Sequence, residues 1–420
     1  MNGNKAKSVC IITPSYAVSN PRTAKEADAL HQAGFNVRVV YSQGNLEDIR
    51  KLDELYLKGK QWRWDSVKWS PFRERERMLY LKSYLRHNIY ERFPSFLLRF
   101  GGLAEYGEGR MYKELAELAA SEKADIYIGH YPTGLAAAAF AAFRWQAKFA
   151  YDMEDFYAEE KIPSLQKKRI ETIERRYLPY CSYVTIASEL FADEIVRRYK
   201  IPPPLIVHNV FPWAARENID NKIKDIRKDG LSLYWFSQVI GEHRGIEDAI
   251  KAAGLLKDKV QIHMRGTVYG TMRRKILALA HKCGVKDAIY FHPPAVPEEL
   301  LSRTAEHDVG LALEEPLCCL NRNLSISNKI FLYLLAGLAI AASDTLGQRN
   351  VVSSCPDAGF IYKSGDYRSL ADNLNRLIQD PVRLRRCKEA SLTAAHERWN
   401  WERESEKFVE KLKNILEVGR

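Results

Sequence analysis

The 420-residue sequence has no apolar run approaching the ~20 residues that a membrane-spanning helix needs. Its longest apolar stretches, around Gly134–Phe143 and Ile330–Ala342, stop well short of that length. The opening MNGNKAKSVCIITP holds only a four-residue apolar run, too short for a signal-peptide core. Cysteine is also scarce. Cys10, Cys181, Cys283, Cys318, Cys319, Cys355 and Cys387 are odd in number, scattered, and lack the paired spacing with histidine that suits zinc. A disulfide scaffold is excluded, no metal is expected, and a cytoplasmic chain, soluble or peripheral on the inner face of the membrane, is the expectation. No stretch has the low hydrophobicity of disorder, and no recognition-helix, zinc-finger or base-stacking motif is present, so no nucleic acid is expected as a partner.

What is present is an ordinary globular composition, 46% apolar and 28% charged, with enough length for two to four domains. The formal charge is +11, and it is unevenly spread. Residues 51–100 carry 12 basic and 6 acidic side chains, more than half of the excess.

Short β-branched runs alternate with helical stretches. SVCIIT (8–13), NVRVVY (36–41), ADIYIG (124–129), KFAY (148–151), YVTIA (183–187) and LIVHNV (205–210) read as buried strands. Asn20-Pro21 supplies a helix start and Gly34 its stop. After a polar stretch the rhythm resumes with LSLYWF (231–236), VQIHMR (260–265), AIYFH (288–292), VGLAL (309–313) and LAIAA (338–342). Strands separated by helices imply parallel sheets. The boundaries predicted are an N-terminal Rossmann-like domain over 1–212, a linker over 213–230, a second Rossmann-like domain over 231–395, and a C-terminal helix over 396–420 returning to the first domain.

Ligands of open α/β sheets bind beyond the carboxyl ends of the strands, where helix N-termini favour anions. Arg244 and Gly245 open a helix after the strand 231–236. After the strand 309–313, Ser325 or Ser327 can cap a helix whose first turn carries Asn328 and Lys329. Two cations and a capped helix end suit a diphosphate, although either cation taken singly reads better from spacing as a solvated side chain.

The run SNKIFLYLLAGLAIAASD is similar to the donor-site segment of family 4 glycosyltransferases, S-x-P-N-K-L-F-E-Y-L-A-A-G-x-P-V-I-A-S-D. RGIEDAI resembles that family's R-G-L-E-x-A-I. SNPRTAKEADALHQAGFNVRVV, ADIYIGHYPTGLAAA, AKFAYDMEDFYAEE, GDYRSLADNL and WNWERE resemble further elements, in the family's order. The resemblance covers nearly the whole chain except residues 45–120. It implies an α/β chain of GT-B fold, with two facing Rossmann-like doubly wound domains, parallel sheets and a C-terminal helical tail. It further implies a retaining, metal-independent glycosyltransferase that needs no cofactor and takes a nucleotide-diphosphate sugar, UDP or GDP, as donor. The acceptor implied is a glycan or a lipid-linked or other cell-envelope molecule.

By the same resemblance, Arg244, Gly245, Ser327, Asn328 and Lys329 bind the donor, and His130, Arg244 and Lys329 act in catalysis. Arg22, Asp152, Glu154 and Asp155 lie on the acceptor side. From the residues alone, His130 reads equally as a helix-capping histidine, and the acids as a solvated helix start. Five positions depart from the pattern, among them Glu154 in place of a histidine and Ser237 in place of a glycine. The glutamate that holds the nucleotide ribose is Leu332, its E-x7-E partner is Leu324, and the motif proline is Ser327. The loss at Leu332 leaves a second reading, a catalytically silent GT-B scaffold or partner subunit. A sugar-nucleotide epimerase is a lesser alternative.

Within the basic stretch, Met78, Leu81, Leu85 and Ile89 recur at helical spacing, interleaved with aromatics and cations. This suits either an anionic membrane surface or an amphipathic arm packed on the first domain.

Overall fold

The computed structural model describes residues 6–219, 230–256 and 259–417. Contacts divide the chain into two compact units, Met1–Val207 with Ser405–Arg420, and His208–Glu404.

The first unit is built on a seven-stranded, all-parallel sheet. Its strands are β1 (Ser8–Thr13), β2 (Asn36–Gln43), β3 (Arg63–Lys68), β4 (Ile126–His130), β5 (Lys148–Met153), β6 (Val184–Ile186) and β7 (Leu205–Ile206). They lie in the order β3-β2-β1-β4-β5-β6-β7. Ile11, Ile12, Val39, Val40 and Ile128 are fully buried, which is why these strands read as continuous apolar runs. Burying one such side chain stabilises the fold by roughly 1.5–3 kcal/mol.

The first helix, Pro21–Gln32, starts as its sequence dictates. The Asn20 side chain accepts the Thr23 N–H at 3.2 Å, and Pro21 takes the first position, where no donor is needed. The reversal of strand order beside β1 puts the carboxyl ends of β1, β4 and β5 next to this helix.

The second unit holds a six-stranded parallel sheet ordered β10-β9-β8-β11-β12-β13. Its strands are β8 (Leu231–Val239), β9 (Val260–Thr267), β10 (Ile289–His292), β11 (Val309–Ala312), β12 (Ala339–Ser343) and β13 (Gly359–Tyr362). Leu233, Trp235, Ile262, Met264 and Leu311 belong to its core. The helix Asn328–Ala336 lies close on β11 because residue 310 is glycine; a Cβ there would come within 2.2 Å of the Tyr333 ring. Helices Tyr367–Gln379, Pro381–Glu397 and Trp401–Glu417 form the tail.

Several expectations are corrected. The run 205–210 pairs only over Leu205–Ile206, since the Val207 carbonyl is taken by Arg22 and the His208 N–H by Glu404. β3 was not anticipated: RWDSVK is an edge strand with its charged residues outward, so it lacks an apolar run. The basic stretch is therefore more than an arm, because it supplies a strand to the first sheet. The linker contains a 3-10 helix at Trp213–Asn218, and its residues 220–229 lie outside the described residues. No helix among the described residues is long and apolar enough to cross a membrane.

Candidate functional site

Two clusters of ionised side chains sit at carboxyl ends of strands, one in each unit. In the second unit β11 runs into Leu313 and Glu314, whose backbone is held by Ser343 at the end of β12. Ser343 Oγ receives the Glu314 N–H at 2.8 Å and donates to the Glu314 carbonyl at 2.7 Å. The Glu314 carboxylate is buried and gathers three cations. Arg244 Nη1 donates to it at 3.0 and 3.2 Å, Lys329 Nζ at 3.1 Å and Arg322 Nη1 at 3.3 Å.

The backbone prepares this convergence. His243 has φ 59° and Gly245 φ 68°, left-handed conformations that turn the chain sharply around Arg244 before the helix Ile246–Leu256 begins. Arg322 Nη1, in the short helix Leu320–Leu324, also donates to the His243 carbonyl at 2.5 Å, tying that helix to the turn before Arg244.

Burial works to raise the Glu314 carboxyl, but Lys329, Arg244 and Arg322 outweigh it and hold it below the usual carboxylate range. For Lys329 burial lowers the ammonium, Glu314 opposes that, and Arg244 adds to the lowering. Three cations against one carboxylate leave two positive charges beside a helix N-terminus, an arrangement suited to a doubly charged anion.

In the first unit the cluster joins the ends of β4 and β5 to the first helix. His130 and Asp152 are register partners. Asp152 receives Arg22 Nε at 2.5 Å and Nη2 at 2.8 Å in a two-pronged ion pair, and Thr185 Oγ1 at 2.6 Å. Arg22 also reaches the Val207 carbonyl at 2.9 Å. His130 Nε2 lies 2.6 Å from Glu26 Oε2, and Nδ1 lies 2.9 Å from Glu154 Oε1. Asn20, besides capping the helix, donates to Glu154 at 2.9 Å.

Burial alone would lower the His130 imidazole, but its hydrogen bonds to Glu154 and Glu26 and the charges of Glu26 and Asp152 raise it to about 10. His130 is therefore an imidazolium at neutral pH. Burial works to raise Asp152, and Arg22 and His130 overcome it, leaving the carboxyl lowered. Lys25, partly buried on the same helix, is pushed down to about 7 by burial, with Arg22 adding to the effect.

Glu26, His130 and Asp152 offer ligand atoms within 4.8 Å of one another. Their lone pairs are already satisfied by imidazolium, guanidinium and hydroxyl donors. A divalent cation would have to displace these and lie beside Arg22, so the donor set fits an internal ion-pair network better than a metal.

The structure thus brings together Arg244 and Lys329 as anticipated from the sequence, and separately Arg22, His130, Asp152 and Glu154. His130 is fully buried, with both ring nitrogens engaged by carboxylates. Ser327 occupies the helix N-cap position, but its hydroxyl makes no cap bond; it lies 3.4 Å from Lys329 Nζ instead. Asp155 is half-buried in the loop after β5, where its carbonyl receives the Tyr157 N–H at 2.9 Å. Asn328 is exposed at the helix start, and Leu332 is buried.

Sequence reasoning missed Glu26, Glu314 and Arg322. Glu26 was within reach, because it lies four residues after Arg22 and so on the same helix face. Glu314 follows an apolar strand and Arg322 falls in the short helix Leu320–Leu324, and neither position carries a periodic signal.

Residues 18–209 match the family described as glycosyl transferase 4-like domain. No curated protein matches the chain. Among solved structures it is similar to HepE of Anabaena in complex with UDP and glucose, at TM-score 0.70 and 12% identity, over 97% of this chain and 100% of that one. It is likewise similar to the sucrose-phosphate synthase of Thermosynechococcus elongatus, at TM-score 0.69 and 13% identity over 98% and 100%. A TarM mutant of S. aureus in complex with fondaparinux, alpha-GlcNAc-glycerol and UDP matches at TM-score 0.62 and 10% identity over 98% and 99%. At these identities the likeness establishes the fold, which is GT-B. The chain therefore carries a match to a glycosyl transferase 4-like domain over residues 18–209 and has the GT-B fold.

Proposed function

We propose that the chain transfers a sugar from a nucleotide-diphosphate donor to a glycan or lipid-linked acceptor, with retention of anomeric configuration, without a metal, and at the cytoplasmic face of a membrane. The observation that carries this reading is the convergence of Arg244, Lys329 and Arg322 on Glu314 in the second unit. Their two excess positive charges match a diphosphate, and they do the neutralising that a metal ion does in other transferases. HepE and TarM, similar in fold, were both solved with UDP, which favours a UDP sugar as donor.

In the reaction the bond from the sugar's anomeric carbon to the β-phosphate oxygen breaks and a bond to the acceptor oxygen forms on the same face. The acceptor's proton passes to the departing phosphate oxygen. Arg244, Lys329 and Arg322 stabilise the negative charge that grows on the leaving group, and they are held in place before substrate arrives. Arg22, Asp152 and Glu154 keep the carboxyl ends of β4 and β5 rigid on the acceptor side.

The test is a thermal-shift screen of UDP and GDP sugars, followed by transfer to glycan and lipid-linked acceptors with and without EDTA. The product's anomeric configuration is read by NMR. Retention and full activity in EDTA are expected; inversion or an EDTA-sensitive rate overturns the mechanism. The buried Leu332 favours a second reading, a silent GT-B scaffold, and no stabilisation by any nucleotide sugar would select it.

A further inference from the structure

The helix Glu74–Tyr90 is packed the wrong way round for a soluble amphipathic helix. Its inward side is polar and aromatic. Ser83 is buried and its hydroxyl accepts Arg110 Nε at 3.1 Å; Arg86 pairs with Glu114 at 2.7 Å; His87 Nδ1 lies 3.2 Å from the Tyr106 carbonyl. Arg110 stacks over the Tyr80 ring at 4.3 Å and the Trp69 ring at 4.4 Å. Its outward side is aliphatic. Met78, Leu81, Leu85 and Ile89 are each more than half exposed, and their i, i+3, i+7, i+11 spacing puts them in one stripe. The eleven steps from Met78 to Ile89 span about 17 Å along the axis. Phe72 before the helix and Phe96 and Phe100 after it are more than half exposed as well.

Cations border the stripe. Arg75 and Lys82 fall on one shoulder by helical position and Arg77 on the other, with Arg92 and Arg99 just beyond the helix end. Among the described residues, none of Arg75, Lys82 and Arg92 has a carboxylate within ion-pair distance. Glu76 is turned to Arg50 at 2.7 Å, which leaves Glu74, at the first residue, as the helix's other acid. A soluble monomer seldom leaves such an aliphatic stripe in water. A polyanion such as nucleic acid would use the cations and waste the aliphatic groups between them. An anionic bilayer surface uses both, with the stripe at the acyl boundary and the cations among the headgroups.

We propose that this helix lies flat in the surface of an anionic lipid bilayer, through Met78, Leu81, Leu85 and Ile89, and docks the first unit there. This sharpens the membrane location given above by naming the surface that makes contact. Its test contains no sugar, so its failure leaves the transferase reading intact.

The full chain is sedimented with vesicles of phosphatidylcholine and phosphatidylglycerol, and with phosphatidylcholine alone, at 50 and 500 mM salt. Binding to the anionic vesicles at low salt is expected, weakened at least tenfold in high salt or without the anionic lipid. Leu81→Glu with Leu85→Glu should abolish it, and Arg75→Glu with Lys82→Glu should reduce it about tenfold, each with an unchanged circular dichroism spectrum and melting temperature. Absence of wild-type binding at low salt overturns the proposal, and so does undiminished binding by the Leu81 and Leu85 variant. A dimer in analytical ultracentrifugation that this variant dissociates, with no vesicle binding, would assign the face to a second copy of the chain and equally overturn it.

Discussion

Lys329 Nζ donates to Glu314 Oε1 at 3.1 Å, so the cation expected to bind donor phosphate already has an internal carboxylate partner. Glu314 both fixes the positions of the three cations and competes with any incoming anion for them. Neutralising it in Glu314→Gln leaves three like charges close together. The ligand-free melting temperature should fall by a few degrees at low salt, and the rise produced by pyrophosphate or UDP should be at least twice that of the wild type. Differential scanning fluorimetry reads both; unchanged values in both would show that the carboxylate is a bystander.

In the proposed reaction, Arg244→Ala and Lys329→Ala each remove a stabiliser of the departing diphosphate. Loss of one such group costs ~10²–10³ in rate, so kcat for the true donor should fall by that factor while the circular dichroism spectrum stays the same. Turnover within a factor of three of wild type by either variant would remove the second-unit cluster from the reaction.

The Arg22–Asp152 pair is buried, and breaking one partner of such a pair costs about 3–5 kcal/mol. Arg22→Met and Asp152→Asn should each destabilise the chain by that order in urea unfolding. The double variant should cost clearly less than the sum of the two, because neither charge is then left alone. Additive losses would mean that the two side chains do not depend on each other.

His130 ties stability to pH. A free imidazole has a pKa of ~6.5, and in the folded chain it is raised to about 10. A raised value means that the folded state holds its proton more tightly, so the stabilisation is complete below ~6.5 and is lost as pH climbs through about 10. Its size is on the order of a few kcal/mol. Lys25, lowered to about 7, contributes with the opposite sign. The His130 share is therefore read as the difference between wild type and His130→Gln in melting temperature from pH 6 to 10. A difference that does not shrink with rising pH would mean that His130 is not an imidazolium.

The alternation of apolar runs and helices made the two parallel sheets legible, because a strand buried on both faces must be apolar throughout. Edge strands escaped that logic. β3 exposes part of its length and spells RWDSVK, which has no such run. The cations of the second site were legible because they sit at helix starts with a recognisable motif. Their carboxylate was not, since Glu314 is set by the register of β11 against β12 and by the Ser343 hydroxyl, relations between segments far apart in the chain. His130 was legible as a position, but its partners were not. Only its three-dimensional neighbours, Glu26 from a helix and Glu154 from a loop, show that both nitrogens are occupied.

The first sheet's two borders also bear on how the chain behaves at high concentration. A parallel sheet with a long bare edge is a template on which another molecule can add a strand. One border here is β3, where Arg63 pairs with Glu122 at 2.9 Å and Asp65 with Arg38 at 2.6 Å, so a stranger strand would have to strip charged groups of their partners. The other border, β7, offers only the two residues Leu205 and Ile206. Neither border supplies the length of bare, apolar backbone on which fibrils grow, so the sheet resists runaway stacking between molecules even where the protein is crowded.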